Sequence, residues 1–148
     1  MPHDPARLED TQTWFRKAAT DLAVGAHELT AEPPFTGDAV FHAQQAAEKS
    51  FKGFLAWHDV PFGKTHDLAA LGRLCGQIEQ PFITLGQRAA RLTEYAWKYR
   101  YPGEPEEPSR EETESALALA REVYDTILDR LPADVRPVSR VAGEDENA

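Results

Sequence analysis

Breaks that contain proline divide this chain into five stretches, and each stretch repeats apolar residues at steps of three and four. The breaks lie at residues 32–37, 60–64, 81 and 100–108. Proline lacks the backbone amide and clashes with the preceding turn, so helices begin or end beside it. Apolar steps of three and four are typical of a helix with one face toward a core. The chain therefore predicts an all-α fold, an antiparallel up-and-down bundle of four long helices plus one short helix.

Capping residues indicate where these helices begin. The first is expected to start at Asp10, the second to cover about 38–59, and the short third to start at Thr65. The fourth follows Pro81, and the fifth starts at Ser109, which has a glutamate three residues later as in a capping box. The residues expected to face the core in the first two helices are Trp14, Ala18, Leu22, Ala26, Leu29, Val40, Ala43, Ala47, Phe51, Phe54 and His58.

The apolar repeat stops after Leu131, where two prolines and a glycine interrupt a stretch without periodicity. Such a segment buries too little apolar surface to fold by itself. The predicted organisation is an N-terminal extension at 1–9, the helical bundle at 10–131 and a flexible tail at 132–148.

Composition limits the class of protein. With 148 residues, 41% hydrophobic and 28% charged, the chain suits one globular domain. It contains no apolar run near the roughly 18 residues that a membrane helix needs, and its N-terminus has no secretory pattern. The single Cys75 excludes an intramolecular disulfide and a multi-cysteine zinc site. We expect a cytoplasmic protein that does not bind membranes.

The net charge of −9 is unevenly distributed. Residues 104–114 carry −5 and residues 132–148 carry −2, which leaves −2 for the rest of the chain. A surface of this kind gains little from releasing counterions from a nucleic-acid backbone, so general DNA binding is not expected. Recognition of one nucleotide or a short RNA by a local basic patch remains compatible with this charge.

Four motifs occur in a fixed order along the chain: Ala18-x-x-Asp-Leu22, Phe41-His-Ala-Gln-Gln-Ala-Ala-Glu-Lys-Ser-Phe-Lys52, Thr65-His-Asp-Leu68 and Tyr99-Arg-Tyr-Pro102. Their order and spacing resemble the HEPN domain over about residues 14–131. The resemblance implies a helical bundle that frequently forms a homodimer. It also implies frequent pairing with a minimal nucleotidyltransferase, often as a toxin–antitoxin module.

The sequence departs from the HEPN proteins that cleave RNA. Many of those relatives carry an arginine followed, after four intervening residues, by a histidine. The residue at that offset from Arg100 is Pro105, and no other arginine in the chain has a histidine there. The ribonuclease activity of those relatives is therefore not carried over to this chain.

The second predicted helix carries a polar ridge of Gln45, Glu48, Lys49 and Lys52. At about 100° per residue, these four lie within roughly 100° of one another beside the core face. An amide, a carboxylate and two ammonium groups could bind a phosphate and a base edge. Alternatively, the ridge is a solvated face with a Glu48–Lys52 pair. Gln44 points toward the core and is expected to bond to a neighbouring helix.

Arg100 ends the fourth predicted helix and could bind phosphate with its planar guanidinium. Trp97 and Tyr101 could stack on a base. The alternative reading makes Arg100 a cation at a helix C-terminus and the two aromatic residues core or dimer-interface filling. The candidate nucleotide site requires Arg100 to lie beside the ridge of the second helix.

A metal site and a cofactor are not expected. None of the five histidines has another histidine or a cysteine at the i,i+4 spacing. His42 is expected to be exposed, His66 to orient the turn after Thr65, and Cys75 to be buried as a small apolar residue.

Three functions stay open at this level. The leading hypothesis is a HEPN nucleotide-binding or interaction module that works as a homodimer with a nucleotidyltransferase partner. The second is a ribonuclease toxin that combines Arg100 with an unconventional second group, such as His42 or Glu48. The third is a purely structural helical adaptor, in which the polar ridge is only an interface.

Overall fold

The computed structural model describes residues 3–103 and 106–137, and its regular elements are all helical within those ranges. The all-α prediction is confirmed. The α-helices are α1 (Pro5–Glu28), α2 (Thr36–Trp57), α3 (Leu68–Gly76), α4 (Pro81–Ala89) and α5 (Arg110–Leu128). A 3-10 helix at Ala90–Ala96 continues α4, and a short 3-10 turn lies at Ala133–Val135. No helix in the described ranges is long and apolar enough to cross a membrane.

Helix α2 is the centre of the bundle, and 15 of its 22 residues are buried. It packs against α1 on one side, α5 on another, and α3 with the 3-10 helix on a third. Small residues such as Ala43 and Ala47 let the neighbouring backbones approach closely, while Phe51 and Phe54 fill the space between helices. A helix enclosed in this way also buries polar side chains, which therefore need partners.

Helix α1 begins earlier than its sequence indicated. The predicted start at Asp10 is wrong, because the helix begins at Pro5 and Asp4 caps it by accepting a hydrogen bond from the Ala6 amide at 3.1 Å. Proline is well suited to the first position of a helix, where no amide is needed. Residues 5–9 of the predicted N-terminal extension thus form the first turn of α1.

The starts of α3 and α5 follow the usual capping chemistry. Asp67, rather than Thr65, caps α3 by accepting from the Ala70 amide at 3.1 Å, and Thr65 instead accepts from the Asp67 amide. The predicted cap of α5 is confirmed, since the Ser109 hydroxyl accepts from the Glu112 amide at 3.0 Å.

The buried stripe of α1 includes Ala18 and Leu22 as predicted, but its other members differ from the predicted ones. Phe15 is fully buried, whereas Trp14 is only partly buried and Ala26 is exposed. The stripe runs through Thr11 and Gly25, which an apolar pattern does not reveal. At the far end of α2, His58 is exposed because the helix has already ended at Trp57.

Part of the predicted tail belongs to the packed structure. Val135 is fully buried, and the Gln12 side chain donates a hydrogen bond to the Asp134 carbonyl oxygen at 2.7 Å. The remainder of that predicted tail, 138–148, lies outside the described residues.

The burial of Cys75 is confirmed. It lies in the core with no exposed surface, and this burial raises the pKa of its thiol to about 12. The thiolate is the reactive form of cysteine, so this burial makes Cys75 a poor nucleophile near neutral pH.

Helices α3 and α4 cross at two glycines. A Cβ atom at Gly72 would lie 2.6 Å from the Cα of Gly86 and 2.9 Å from the Phe82 carbonyl oxygen. Both neighbours are backbone atoms, so the two helices would have to separate to admit a methyl group.

Gly72→Ala should therefore destabilise the fold by about 1–3 kcal/mol, the usual cost of overpacking. Urea unfolding followed by circular dichroism measures the change. Gly63→Ala is the matched control, since no atom lies within 4 Å of a Cβ at that position. Equal unfolding free energies for the two variants would contradict the close crossing.

Candidate functional site

A buried polar network surrounds Glu48 near the middle of α2. We call Gln44, Gln45, Glu48, Lys52 and His66 the Glu48 network. Gln44 Nε2 donates to Glu48 Oε1 at 2.8 Å, and Lys52 Nζ donates to Oε2 at 3.0 Å. His66 Nδ1 lies 2.7 Å from Oε1, and Gln45 Nε2 donates to Gln44 Oε1 at 2.7 Å. The buried carboxylate is thus satisfied by an amide, an ammonium and an imidazole.

These partners keep Glu48 ionised. Burial by itself would raise the pKa of Glu48, but hydrogen bonds from His66, Gln44 and Lys52 hold it below the usual value for a glutamic acid. A buried pair of this kind costs little while it stays complete and much when one partner is removed.

Beside the Glu48 network lies a cavity of about 490 Å³, which we call the lysine pocket. Its walls are Trp14, Lys52, Phe62, Gly63, Lys64 and His66. The ring centroids of Trp14 and Phe62 are 5.8 Å apart in an edge-to-face arrangement, and Lys52 Nζ lies 5.6 Å from the centroid of Phe62. The lysine pocket therefore combines aromatic surface with two lysines and a histidine.

A second polar group joins α1 to the first half of α2. We call Asp21, Glu28, Asp38, His42 and Lys49 the carboxylate cluster. His42 Nδ1 lies 2.8 Å from Asp21 Oδ1, and Lys49 donates to the other oxygen of Asp21. His42 Nε2 lies 3.3 Å from Asp38 Oδ2 and 4.0 Å from Glu28 Oε1. Three carboxylates thus converge on one imidazole.

The carboxylate cluster changes the proton affinity of its members. Burial, followed by the nearby Asp38 carboxyl, raises the pKa of Glu28 to about 7. The hydrogen bond with Asp21 raises the pKa of His42 more than its partial burial lowers it, and Asp38 adds to the increase. Both effects follow from acidic groups held close together with little water.

Arg100 lies at the N-terminal end of α2. Its guanidinium carbon is 3.7 Å from the centroid of the Phe41 ring, and Nη1 lies 3.5 Å from Asp38 Oδ1. It borders a cleft of about 410 Å³ whose walls also include Asp38 and Glu107. The Arg100 cleft therefore carries more acidic than basic groups.

The structure separates the seven residues proposed as a nucleotide site. Gln45, Glu48 and Lys52 belong to the Glu48 network, whereas Lys49 belongs to the carboxylate cluster. Arg100 packs on Phe41. Phe41 lies on the same face of α2 as Glu48 but seven residues earlier, which is about 10 Å along the helix axis. Trp97 and Tyr101 are exposed in the segment that carries Arg100.

Sequence reasoning missed several residues of both groups. His42 was expected to be exposed and His66 to orient a turn, yet His42 contacts Asp21 and Asp38, and His66 contacts Glu48. Gln44 is buried as expected, but its amide bonds within α2 rather than to a neighbouring helix, which corrects that expectation. The sequence motifs already contained Asp21, His42 and His66. They did not indicate that His42 contacts Asp21 or that His66 contacts Glu48.

Comparison with protein families supplies the identity of the fold. The family model of the HEPN domain matches residues 11–131. This chain belongs to the HEPN domain family. Comparisons with curated proteins and with solved structures gave no match. The HEPN match spans the Glu48 network, the lysine pocket and the carboxylate cluster.

Within this HEPN domain, Glu48→Gln should lower the free energy of unfolding by about 3 kcal/mol near pH 7, because Lys52 loses its buried counter-charge. The pKa of Glu48 is lower in the folded chain than in the unfolded one. The stabilisation it gives is therefore present above the unfolded pKa and lost as the pH falls through the folded value. The difference between wild type and variant in urea unfolding should therefore shrink as the pH falls below the ordinary pKa of a glutamic acid.

Glu94→Gln is the matched control, because Glu94 pairs with Lys98 at the same i,i+4 spacing but on an exposed surface. We expect it to change stability by less than about 0.5 kcal/mol. Equal effects of the two substitutions would show that the Glu48 network does not stabilise the fold.

Proposed function

We propose that this HEPN domain is a nucleotide-binding module whose ligand occupies the lysine pocket. The observation that carries the proposal is the joint placement of Lys52, Lys64 and His66 with the rings of Trp14 and Phe62 around one cavity. A nucleotide presents an anionic phosphate and a flat aromatic base, and this cavity offers partners for both.

The chemistry of each wall supports the assignment. Ammonium groups attract phosphate as point charges, and aromatic side chains stack on bases of any sequence. The side chain of His66 is 55% exposed, and its Nδ1 is held by Glu48, which leaves Nε2 for another partner. The volume of about 490 Å³ lies within the range of small-molecule sites.

The Arg100 cleft is a poorer phosphate site. Asp38 and Glu107 line it together with Arg100, so a phosphate would approach two carboxylates for one guanidinium. Arg100 is also engaged with Phe41 and Asp38. Lys52 is likewise paired with Glu48, but no carboxylate of the described residues lines the lysine pocket and Lys64 adds a second ammonium, so charge favours this pocket.

The proposal includes partners that membership of the HEPN family suggests. A minimal nucleotidyltransferase would supply transfer chemistry, and this chain would supply nucleotide contacts, together as a toxin–antitoxin module. A homodimer is the expected assembly in the cytoplasm. Several large hydrophobic residues near the Arg100 cleft remain exposed, namely Phe35, Trp97 and Tyr101, which supports an interface between two copies of the chain there.

Calorimetric titration of the full chain with ATP in the absence of divalent metal tests the lysine pocket. Lys64→Ala should weaken binding about tenfold, since it removes one charged contact worth roughly 1.4 kcal/mol. Lys17→Ala removes an exposed lysine of α1 outside the pocket and should leave the affinity unchanged. Adenosine should bind more weakly than ATP, because it lacks the phosphates.

Two results would overturn this assignment. One is the absence of binding by the wild-type chain. The other is an affinity that falls in Arg100→Ala but not in Lys64→Ala, which would place the ligand in the Arg100 cleft. Circular dichroism of each variant shows that the helices remain intact.

The alternative function, a ribonuclease, can be tested with the same purified chain. Because no histidine follows Arg100 at the required offset, we expect RNA to stay intact when incubated with the purified chain in chelator. Cleavage by the wild type that disappears in both Arg100→Ala and His42→Ala would contradict this expectation and establish an unconventional ribonuclease.

A further inference from the structure

Three potential metal ligands meet where α1 ends and α2 begins. Glu28 is the last residue of α1, while Asp38 and His42 lie one turn apart at the start of α2. One ligand atom from each residue, two carboxylate oxygens and an imidazole nitrogen, lies within 4.8 Å of the others. Because these residues come from two helices, the spacing of histidines and cysteines in the sequence does not indicate the cluster.

The distances between these atoms suit a shared ion. Ligand atoms about 2.1 Å from one metal lie roughly 3 to 4 Å apart in tetrahedral and octahedral sites. His42 Nε2 lies 3.3 Å from Asp38 Oδ2 and 4.0 Å from Glu28 Oε1. Small side-chain movements would bring all three atoms to bonding distance of a single ion.

His42 is oriented as metal-binding histidines usually are. Its Nδ1 faces Asp21 at 2.8 Å, so a proton on Nδ1 leaves the Nε2 lone pair directed toward Asp38 and Glu28. Histidine ligands generally donate a hydrogen bond from the N–H of their second ring nitrogen to a carboxylate in this manner. Lys49 donates to the other oxygen of Asp21, so the carboxylate that orients the imidazole is itself held in place.

Glu28 supplies an independent observation. Its Oε1 atom is fully shielded from solvent and has no hydrogen-bond partner within the described residues, yet it is the oxygen directed at His42. A buried carboxylate oxygen without a donor is costly. A cation bound at this position would satisfy it.

We propose that Glu28, Asp38 and His42 bind one divalent transition-metal ion, with Asp21 as the residue that positions His42. One imidazole and two carboxylates suit ions such as Zn²⁺ or Mn²⁺ better than Mg²⁺, which prefers oxygen ligands. The Asp38 side chain is 46% exposed, so the site opens to solvent, and Arg100 contacts only the other oxygen of Asp38. The proposal does not depend on nucleotide binding in the lysine pocket.

Calorimetric titration of the untagged full chain with Zn²⁺, and separately with Mg²⁺, tests the site. We expect one Zn²⁺ per chain and at least tenfold weaker binding of Mg²⁺. Glu28→Gln and Asp38→Asn preserve side-chain shape and should each weaken Zn²⁺ binding at least tenfold. Glu32→Gln and His27→Gln alter exposed residues near Glu28 and should bind like the wild type. Thermal unfolding gives a second measurement, in which Zn²⁺ should raise the Tm of the wild type but not of Glu28→Gln.

The competing explanation is that His42 is a protonated imidazole that pairs with the three carboxylates and needs no ion. Failure of the wild type to bind Zn²⁺ would overturn the proposal. Zn²⁺ binding that persists in both Glu28→Gln and Asp38→Asn but disappears in His27→Gln would also overturn it, by assigning the ion to the helix surface.

Discussion

The buried carboxylate of Glu48 must be neutralised, and much of the arrangement around the lysine pocket follows from that requirement. Two of its partners, Gln44 and Lys52, come from the same helix one turn away. The third, His66, comes from the connection between α2 and α3. The connection is therefore held against α2 by a hydrogen bond to a charged group, which is stronger than a neutral one. The wall of the lysine pocket is fixed by the same contact.

Helix α2 serves as both core and functional surface. Most of its alanines and phenylalanines are buried against α1, α3 and α5, and its polar residues lie at two different levels along the axis. Near its start the neighbours are acidic, with Asp21, Glu28 and Asp38 around His42. Farther along, Lys52 and Lys64 border the lysine pocket. One helix thus presents two environments of opposite charge, although the chain as a whole is acidic.

The sequence was sufficient for the helical class and for most element positions, because proline breaks and apolar periodicity act locally. It was less reliable for α1, where Asp4 rather than Asp10 provides the cap and Phe15 rather than Trp14 enters the core. The helical period placed Glu48 and Lys52 on one face but could not identify their neighbours. The contacts of His66 with Glu48 and of His42 with Asp21 join residues 18 and 21 positions apart, and only the tertiary fold determines them.

The bond between Gln12 and the backbone of Asp134 has a practical consequence for where this domain ends. The family match stops at residue 131, but the side chain of Val135 lies fully buried in the core, seven residues after α5 ends at Leu128. His3 also contacts the Trp57 ring, with centroids 4.6 Å apart. Both margins of the described chain are therefore anchored against the bundle. A fragment limited to the matched residues 11–131 would lack both of these contacts and would expose apolar surface of the bundle at both margins.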